Sequence, residues 1–236
     1  MFQKFTNLTK IKMISYLCDY MEDRKLTAAE MGRISPEEYR RRPGSGIAVV
    51  LDNVRSAYNV GSAFRSADAF GADRMVLCGI CSVPPSAEIH KTALGAELSV
   101  PWERHDSTLD AVAALRAEGY TIVSVEQTEH SVKLTGCGSI APETCATLGD
   151  IRGGTMQIAQ QSNGGAERSE AVSGAMAPAA PNNKYAFIFG NEVEGVQQSV
   201  VNASDFCLEI PQHGTKHSLN VAVTVGIVLF ATSPVR

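Results

Sequence analysis

At 236 residues with 44% hydrophobic side chains, the chain is long enough for one sizeable domain plus extra segments and too short for two full domains. No apolar run approaches the roughly 20 residues that span a bilayer, and residues 1–25 lack the apolar core and small-residue cleavage site of a secretory leader, so the expectation is a cytoplasmic protein. A net charge of −4 excludes a wholly basic nucleic-acid binder but leaves room for a local cationic surface.

Residues 1 to about 45 read as a helical extension. It holds a concentration of cations (Arg24, Lys25, Arg33, Arg40, Arg41, Arg42) that fits either a patch for a polyanion or a solvated helix face. Ser35-Pro36-Glu37-Glu38 has the form of a capping box with proline at the first helical position, and Pro43-Gly44 ends that element. From Ile47 short apolar runs alternate with helical patterns. IAVVLD (47–52) is a buried strand. VGSAFRSADAF (60–70) puts Val60, Ala63, Phe64 and Ala67 on one helical face, with Gly71 at the C-terminal cap position. RMVLCG (74–79) is a strand, STLDAVAALRAEG (107–119) an amphipathic helix, and YTIVSVE the strand after it.

From about Gly136 to Asn183 large apolar residues become scarce. The part from about 146 to 183 reads as a low-complexity insertion with too little to bury to offset the entropy of ordering it. GCGSIA within this region matches a dinucleotide fingerprint but lacks the strand before it and the helix after it, so it is set aside. Order returns with the strand YAFIFG (185–190), a short helix near Val193 to Val201, the strand FCLEIP (206–211), and a last helix, SLNVAVTVGIVLFAT, apolar on nearly every side. Such a helix needs a second covering surface, and a partner subunit is the simplest one. Alternating strands and helices imply an α/β fold: a mostly parallel sheet with helices on both faces.

Three segments carry polar residues directly after strands, where open α/β sheets bind ligands. In DNVRSAYNVGSAFR, Asn59 is either a helix N-cap or a site residue. Arg65 is either a surface cation or a planar fork for a phosphate. In FGNEVEGV, Gly190 admits a ligand close to the strand end, and Glu192 either serves a site or favours a helix start. In IPQHGTKHSLN, Ser218 reads as an N-cap, whereas the amide of Asn220 entering an apolar helix needs a partner. His213 and His217 rank as loop residues, GTKHS lacks the upstream glycine of a Walker loop, and the Cys78–Cys81 pair reads as buried thiols, so no metal is expected.

Taken together, NVGSAFRSADAFGA, FGNEVEG and EIPQHGTKHSLNVAV resemble, in order, the three motifs of the SpoU-type RNA 2′-O-ribose methyltransferases of the SPOUT superfamily. The resemblance runs from about Ile47 to Glu129 and from Tyr185 to Thr232. It implies a single SPOUT domain over 46–236 after the extension 1–45, with a deep trefoil knot, an exception to the unknotted rule. It also implies methyl transfer from S-adenosyl-L-methionine to a ribose 2′-hydroxyl of tRNA or rRNA, by a homodimer and without metal. The GTKHSLN form is similar to the branch acting on a transfer-RNA guanosine. By matching position, Gly190, Ile210 and Leu219 would hold the donor, and Arg65, Asn59, Glu192, Ser218 and Asn220 would form the catalytic centre. Arginine's pKa of about 12.5 or above makes it a poor base, so Arg65 is expected to grip the substrate phosphate and polarise the hydroxyl. A knotted RNA-binding protein without activity is the competing reading. The long insertion, and an extension that resembles no RNA-binding module, depart from the family pattern.

Overall fold

A computed structural model describes residues 24–27, 30–134, 184–215 and 218–233. The chain divides into two compact units, Met1–Ser35 and Pro36–Arg236. In the first, Arg24 pairs with Glu30 at 2.6 Å, and the Thr27 amide and hydroxyl both donate to the same carboxylate. These bonds hold the Glu30 carboxyl low, at about 2. None of the described residues of this unit is helical. Among the described residues of the extension expected over 1–45, only α1 (Pro36–Arg41) is helical, and it begins at the proline as expected. Residues 1–23 and 28–29 of that extension, the insertion at about 146–183 and GCGSIA lie outside the described residues.

Tyr39 of α1 is buried, and its hydroxyl donates to the carbonyls of Ala67 and Ala72. Arg42 stacks on the Tyr39 ring and donates to the Ala72 carbonyl, and Arg40 donates to that of Leu98. Of the six cations that fitted either a polyanion patch or a solvated face, these two make local contacts.

The second unit is an α/β sandwich. After α1 come β1 (Ile47–Asp52), α2 (Ala57–Phe70), β2 (Arg74–Cys78), α3 (Ala87–Ala93), α4 (Ala96–Ser99), β3 (Trp102–His105) and α5 (Thr108–Ala117). Then follow β4 (Thr121–Val125), β5 (Val132–Lys133), β6 (Tyr185–Phe189), α6 (Gln198–Ala203), β7 (Phe206–Glu209) and α7 (Val221–Thr232). The described strands form one sheet in the order β3-β2-β1-β6-β4-β7-β5, with every pairing parallel.

The two-residue period of a strand explains the layers. Val49, Leu51, Phe187 and Phe189 face Phe64 of α2, Ile89 of α3 and Leu229 of α7. Val50, Val76, Ile122 and Ile188 face Val112 and Leu115 of α5 and Val200 of α6. Both faces of β1 are thus covered, as its unbroken apolar run requires. The register sets Val50 beside Val76 of β2 and Ile188 of β6. Full burial of side chains such as Phe64 and Leu229 stabilises this arrangement by about 1.5–3 kcal/mol each.

Helix α2 keeps the expected face and ends at Gly71, in the left-handed conformation. Within the described residues of this chain the last helix is covered on one side only. Val221, Val225, Val228 and Leu229 are buried, but Val223, Ile227 and Phe230 are 51%, 36% and 72% exposed. Phe230 meets Phe70 of α2 edge-on, with ring centres 5.9 Å apart. No helix among the described residues is long and apolar enough to cross a membrane.

Candidate active site

The carboxyl ends of β4, β6 and β7 and the segment entering α7 enclose a cavity of about 540 Å³. Val125–Gln127 follow β4, Phe189–Gly195 follow β6, Leu208–Ile210 end β7, and Ser218–Val221 lead into α7. This is where parallel sheets gather ligands, because the loops there diverge beyond the strand ends.

The loop after β6 is a tight turn, not the start of the helix expected near Val193. Asn191 and Gly195 exchange backbone hydrogen bonds, and the Asn191 side-chain oxygen accepts from the amides of Val193 and Glu194. Two carboxylates from the flanking strands fix the turn's far end. Glu126, after β4, accepts from the Val196 amide at 3.1 Å, and Asp52, closing β1, accepts from the Gln197 amide at 3.0 Å. Asp52 is fully buried and also accepts from the Asn53 amide group and the Thr108 hydroxyl, so its charge is well solvated by protein donors.

Gly190 lines the cavity, and its small size also serves the turn. A Cβ there would overlap the backbone of Gly195 and Val196, so the missing side chain admits the turn.

Asn59, Glu192 and Asn220 come together from three elements. Asn59 is the third residue of α2, whose N-cap is Ser56. Its side chain donates to Glu192 at 2.5 Å and accepts from the Asn220 side chain at 3.1 Å. Asn220 is itself the N-cap of α7, its oxygen accepting from the Ala222 amide at 2.9 Å. Capping is therefore done by Ser56 and Asn220, which removes the N-cap alternative for Asn59 and Ser218. The result is a polarised relay, from the α7 terminus through two amides to a carboxylate on the cavity wall. Ser218, Leu219 and Ile210 line the same cavity.

Arg65 stands apart. It is exposed, makes no hydrogen bond or ion pair with the described residues, and lines a second, open groove of about 480 Å³ between α2 and α3. Ser62, Ser66, Lys91 and Thr92 share that groove, and among the described residues no carboxylate lines it. Arg65 lies six positions along the helix from Asn59, about 9 Å along the axis and on another side of it. One chain alone does not bring Arg65 to the relay.

Sequence reasoning missed Glu126, Asp52 and Lys91. The signal for the first two was a carboxylate closing an otherwise apolar strand. His213 is exposed, and His217 lies outside the described residues. Burial pushes the thiols of Cys78 and Cys81 up to about 12 and about 11, so they stay protonated at neutral pH. Among the described residues no group of three His, Cys, Asp or Glu side chains is placed to hold a metal.

The profile of the SpoU rRNA Methylase family matches residues 46–230. A 23S rRNA (guanosine-2′-O-)-methyltransferase of Nitrosomonas europaea is 27% identical over 186 residues, 79% of this chain and 55% of that protein. An uncharacterized tRNA/rRNA methyltransferase of Archaeoglobus fulgidus is 26% identical over 221 residues, 91% of this chain and 78% of that protein. Among solved structures, an AdoMet-bound rRNA methyltransferase from Sinorhizobium meliloti superposes with a TM-score of 0.55 at 25% identity, covering 85% of this chain and 60% of that one. The chain thus spans little more than half the length of the Nitrosomonas relative.

Proposed function

The chain belongs to the SpoU rRNA methylase family, and on that premise we propose that it moves a methyl group from S-adenosylmethionine to a ribose 2′-hydroxyl of structured RNA. The observation that carries this reading is the Asn59–Glu192–Asn220 relay on the wall of a ligand-sized cavity. At about 540 Å³ the cavity falls in the usual range for small-molecule sites, about 300–1,000 Å³. Its residues suit this donor. Val125, Leu208, Ile210 and Leu219 offer apolar walls to a base, and Glu126, Glu192, Glu194 and Glu209 offer negative charge to a cation. Gly190, Ile210 and Leu219 remain the proposed donor-holding positions.

The bound donor supplies an electrophilic methyl on a positively charged sulfur. The chain's own task is to align the 2′-oxygen at roughly 3–3.5 Å and assist loss of its proton. Glu192, held by Asn59, and Ser218 orient the ribose at the cavity mouth. Arg65 grips the adjoining phosphate through its planar fork and polarises the hydroxyl, whose proton passes to that phosphate or to water.

Arg65 reaches this centre in a homodimer. The groove it lines adjoins the exposed apolar stripe of α7, because Ser66 lies beside Gly226 and Phe70 against Phe230. A second copy docked on Val223, Ile227 and Phe230 covers that stripe and sets the groove at the junction of two chains. The trefoil threading of the segment after β7, and the division into an extension over 1–45 and a domain over 46–236, are part of the same proposal.

Ribosomal RNA is the better substrate reading, in place of transfer RNA. The Nitrosomonas relative is named for a 23S rRNA guanosine, and the Sinorhizobium structure for rRNA. The test is nucleoside mass spectrometry of separated ribosomal and transfer RNA from cells with and without the gene. Loss of one 2′-O-methylnucleoside from ribosomal RNA is expected. Unchanged 2′-O-methylation in both pools would refute the reading.

A further inference from the structure

Glu126 occupies the centre of the cavity's construction, and beyond its charge the function proposed above gives it no role. It follows the last residue of β4, the strand between β6 and β7, so it stands at the middle of the three strand ends that form the floor. Its carboxylate is half-buried and held in place. One oxygen accepts from the Val196 amide at 3.1 Å and the other from the Gln127 amide at 2.8 Å. Gly195 fits around it with a positive φ of 69°, and a Cβ there would overlap the same carboxylate.

The other acidic residues of the cavity have different commitments. Glu192 is bound by the Asn59 amide, Glu209 accepts from the Ser131 hydroxyl at 2.6 Å, and Glu194 lies exposed in the turn. An ionised carboxylate has about four lone-pair sites, and the two amides fill one on each oxygen of Glu126. Two acceptor sites remain, one on each oxygen of the carboxylate. Vicinal hydroxyls are the donor pair that matches such spacing, and a carboxylate closing a parallel strand is well placed to accept from a ribose.

Resting on the reading of this cavity as the donor site, we propose that Glu126 binds the 2′,3′-diol of the donor's adenosine and so selects a ribonucleoside cofactor. The same carboxylate then links donor and acceptor sides, because the turn it anchors carries Glu192.

The test is calorimetric and needs no turnover. S-adenosylhomocysteine, its 2′,3′-dideoxy analogue and 5′-methylthioadenosine are titrated into the full-length wild type, Glu126→Gln and Asp52→Asn. Asp52 anchors the same turn but does not line the cavity, so Asp52→Asn reports the purely structural effect. Wild type should prefer S-adenosylhomocysteine over the dideoxy analogue by about 10-fold or more, in line with one charge-assisted hydrogen bond. Glu126→Gln should erase most of that preference and weaken 5′-methylthioadenosine similarly, whereas Asp52→Asn should leave the preference intact. Equal losses for the parent and dideoxy ligands in Glu126→Gln would overturn the proposal. So would an unaltered affinity for 5′-methylthioadenosine, which lacks the ammonium group and would place Glu126 at the amino-acid end. If wild type bound none of the three, the donor reading itself would fall, and this proposal with it.

Discussion

The cavity at the strand ends and the groove between α2 and α3 are built on opposite principles. The cavity is closed by loops from three strands and held by internal hydrogen bonds. Asp52 and Glu126 pin its turn, and Asn59, Glu192 and Asn220 are locked to one another. The groove is open, and it presents two cations and three hydroxyls, of which Arg65 has no bond to the described residues. A site whose polar groups are already satisfied is organised for a small ligand before that ligand arrives. A site of exposed cations is organised for a polyanion that brings its own charge. The net charge of −4 is misleading because it averages these two regions.

The sharpest way to break the comparison is to loosen the preorganised side. Gly190→Ala forces a Cβ into the backbone of Gly195 and Val196, and backbone cannot yield as a flexible side chain can. We expect a loss of about 3 kcal/mol in denaturant-measured stability, the upper end of overpacking losses, and no detectable donor binding. A variant with wild-type stability and affinity would show that the turn is free to move.

Arg65→Ala tests the open side. Donor affinity should remain at the wild-type level, because Arg65 lines only the groove. Methyl transfer to RNA should fall by about 10²-fold or more, a usual loss for a charge-stabilising group. Arg65→Lys should recover little, since an ammonium lacks the two-point planar grip. Transfer at the wild-type rate by Arg65→Ala would remove Arg65 from the catalytic centre.

The two regions also differ in how much of each could be read from the sequence. Strands β1, β2, β4, β6 and β7 were legible because burial on both faces demands unbroken apolar runs such as IAVVLD and YAFIF. Edge strand β3 was not. WERH alternates exposed and half-buried residues and contains no apolar run, so β3 and the short helices α3 and α4 before it carried no signal. Lys91 went unnoticed with them. On the cavity side the relay residues were identified, but the capping role of Asn220 was not. Ser, Asn and Thr all cap well, and only backbone conformation distinguishes Ser56 from Asn59 or Asn220 from Ser218. The turn at 191–195 was taken for a helix start because an acidic residue near an apolar run fits both. Asn191 and Gly195 were the clue to a turn.

A smaller effect is expected where the groove meets the apolar stripe. Phe230→Asp puts a charge on the most exposed aromatic of α7 while leaving its buried face intact. Sedimentation should show a wild-type dimer at micromolar concentration and self-association weakened at least about 30-fold in the variant, the loss typical of a central interface anchor. Donor affinity should fall much less than transfer, because the cavity residues come from one chain and the groove needs two. A wild-type monomer that remains fully active would refute the dimer and the division of labour drawn from it.

The smallest effect expected is also the most specific to the groove. Lys91 lies opposite Arg65, its ammonium 5.8 Å from the Tyr58 ring, and its neighbours Thr92 and Ser62 are uncharged. It has charge and reach but no planar fork, so it suits a phosphate as a point charge and not as a catalytic clamp. Lys91→Ala should therefore weaken RNA binding by only a few-fold at moderate salt and by a similar factor for every RNA tested. The slope of log affinity against log salt should become shallower by about 0.7–0.9, the release of one counterion. Transfer at saturating RNA should be unchanged, which separates Lys91 from Arg65 within one groove. Arg104→Ala provides the comparison. It is an exposed cation on β3 at the sheet edge, 3.7 Å from Asp106 and outside the groove, and it should leave the slope as in the wild type. If both substitutions shift the slope equally, RNA contacts the whole cationic surface without preference. If neither does, the groove is not where the RNA backbone lies, and Arg65 must act on it from elsewhere.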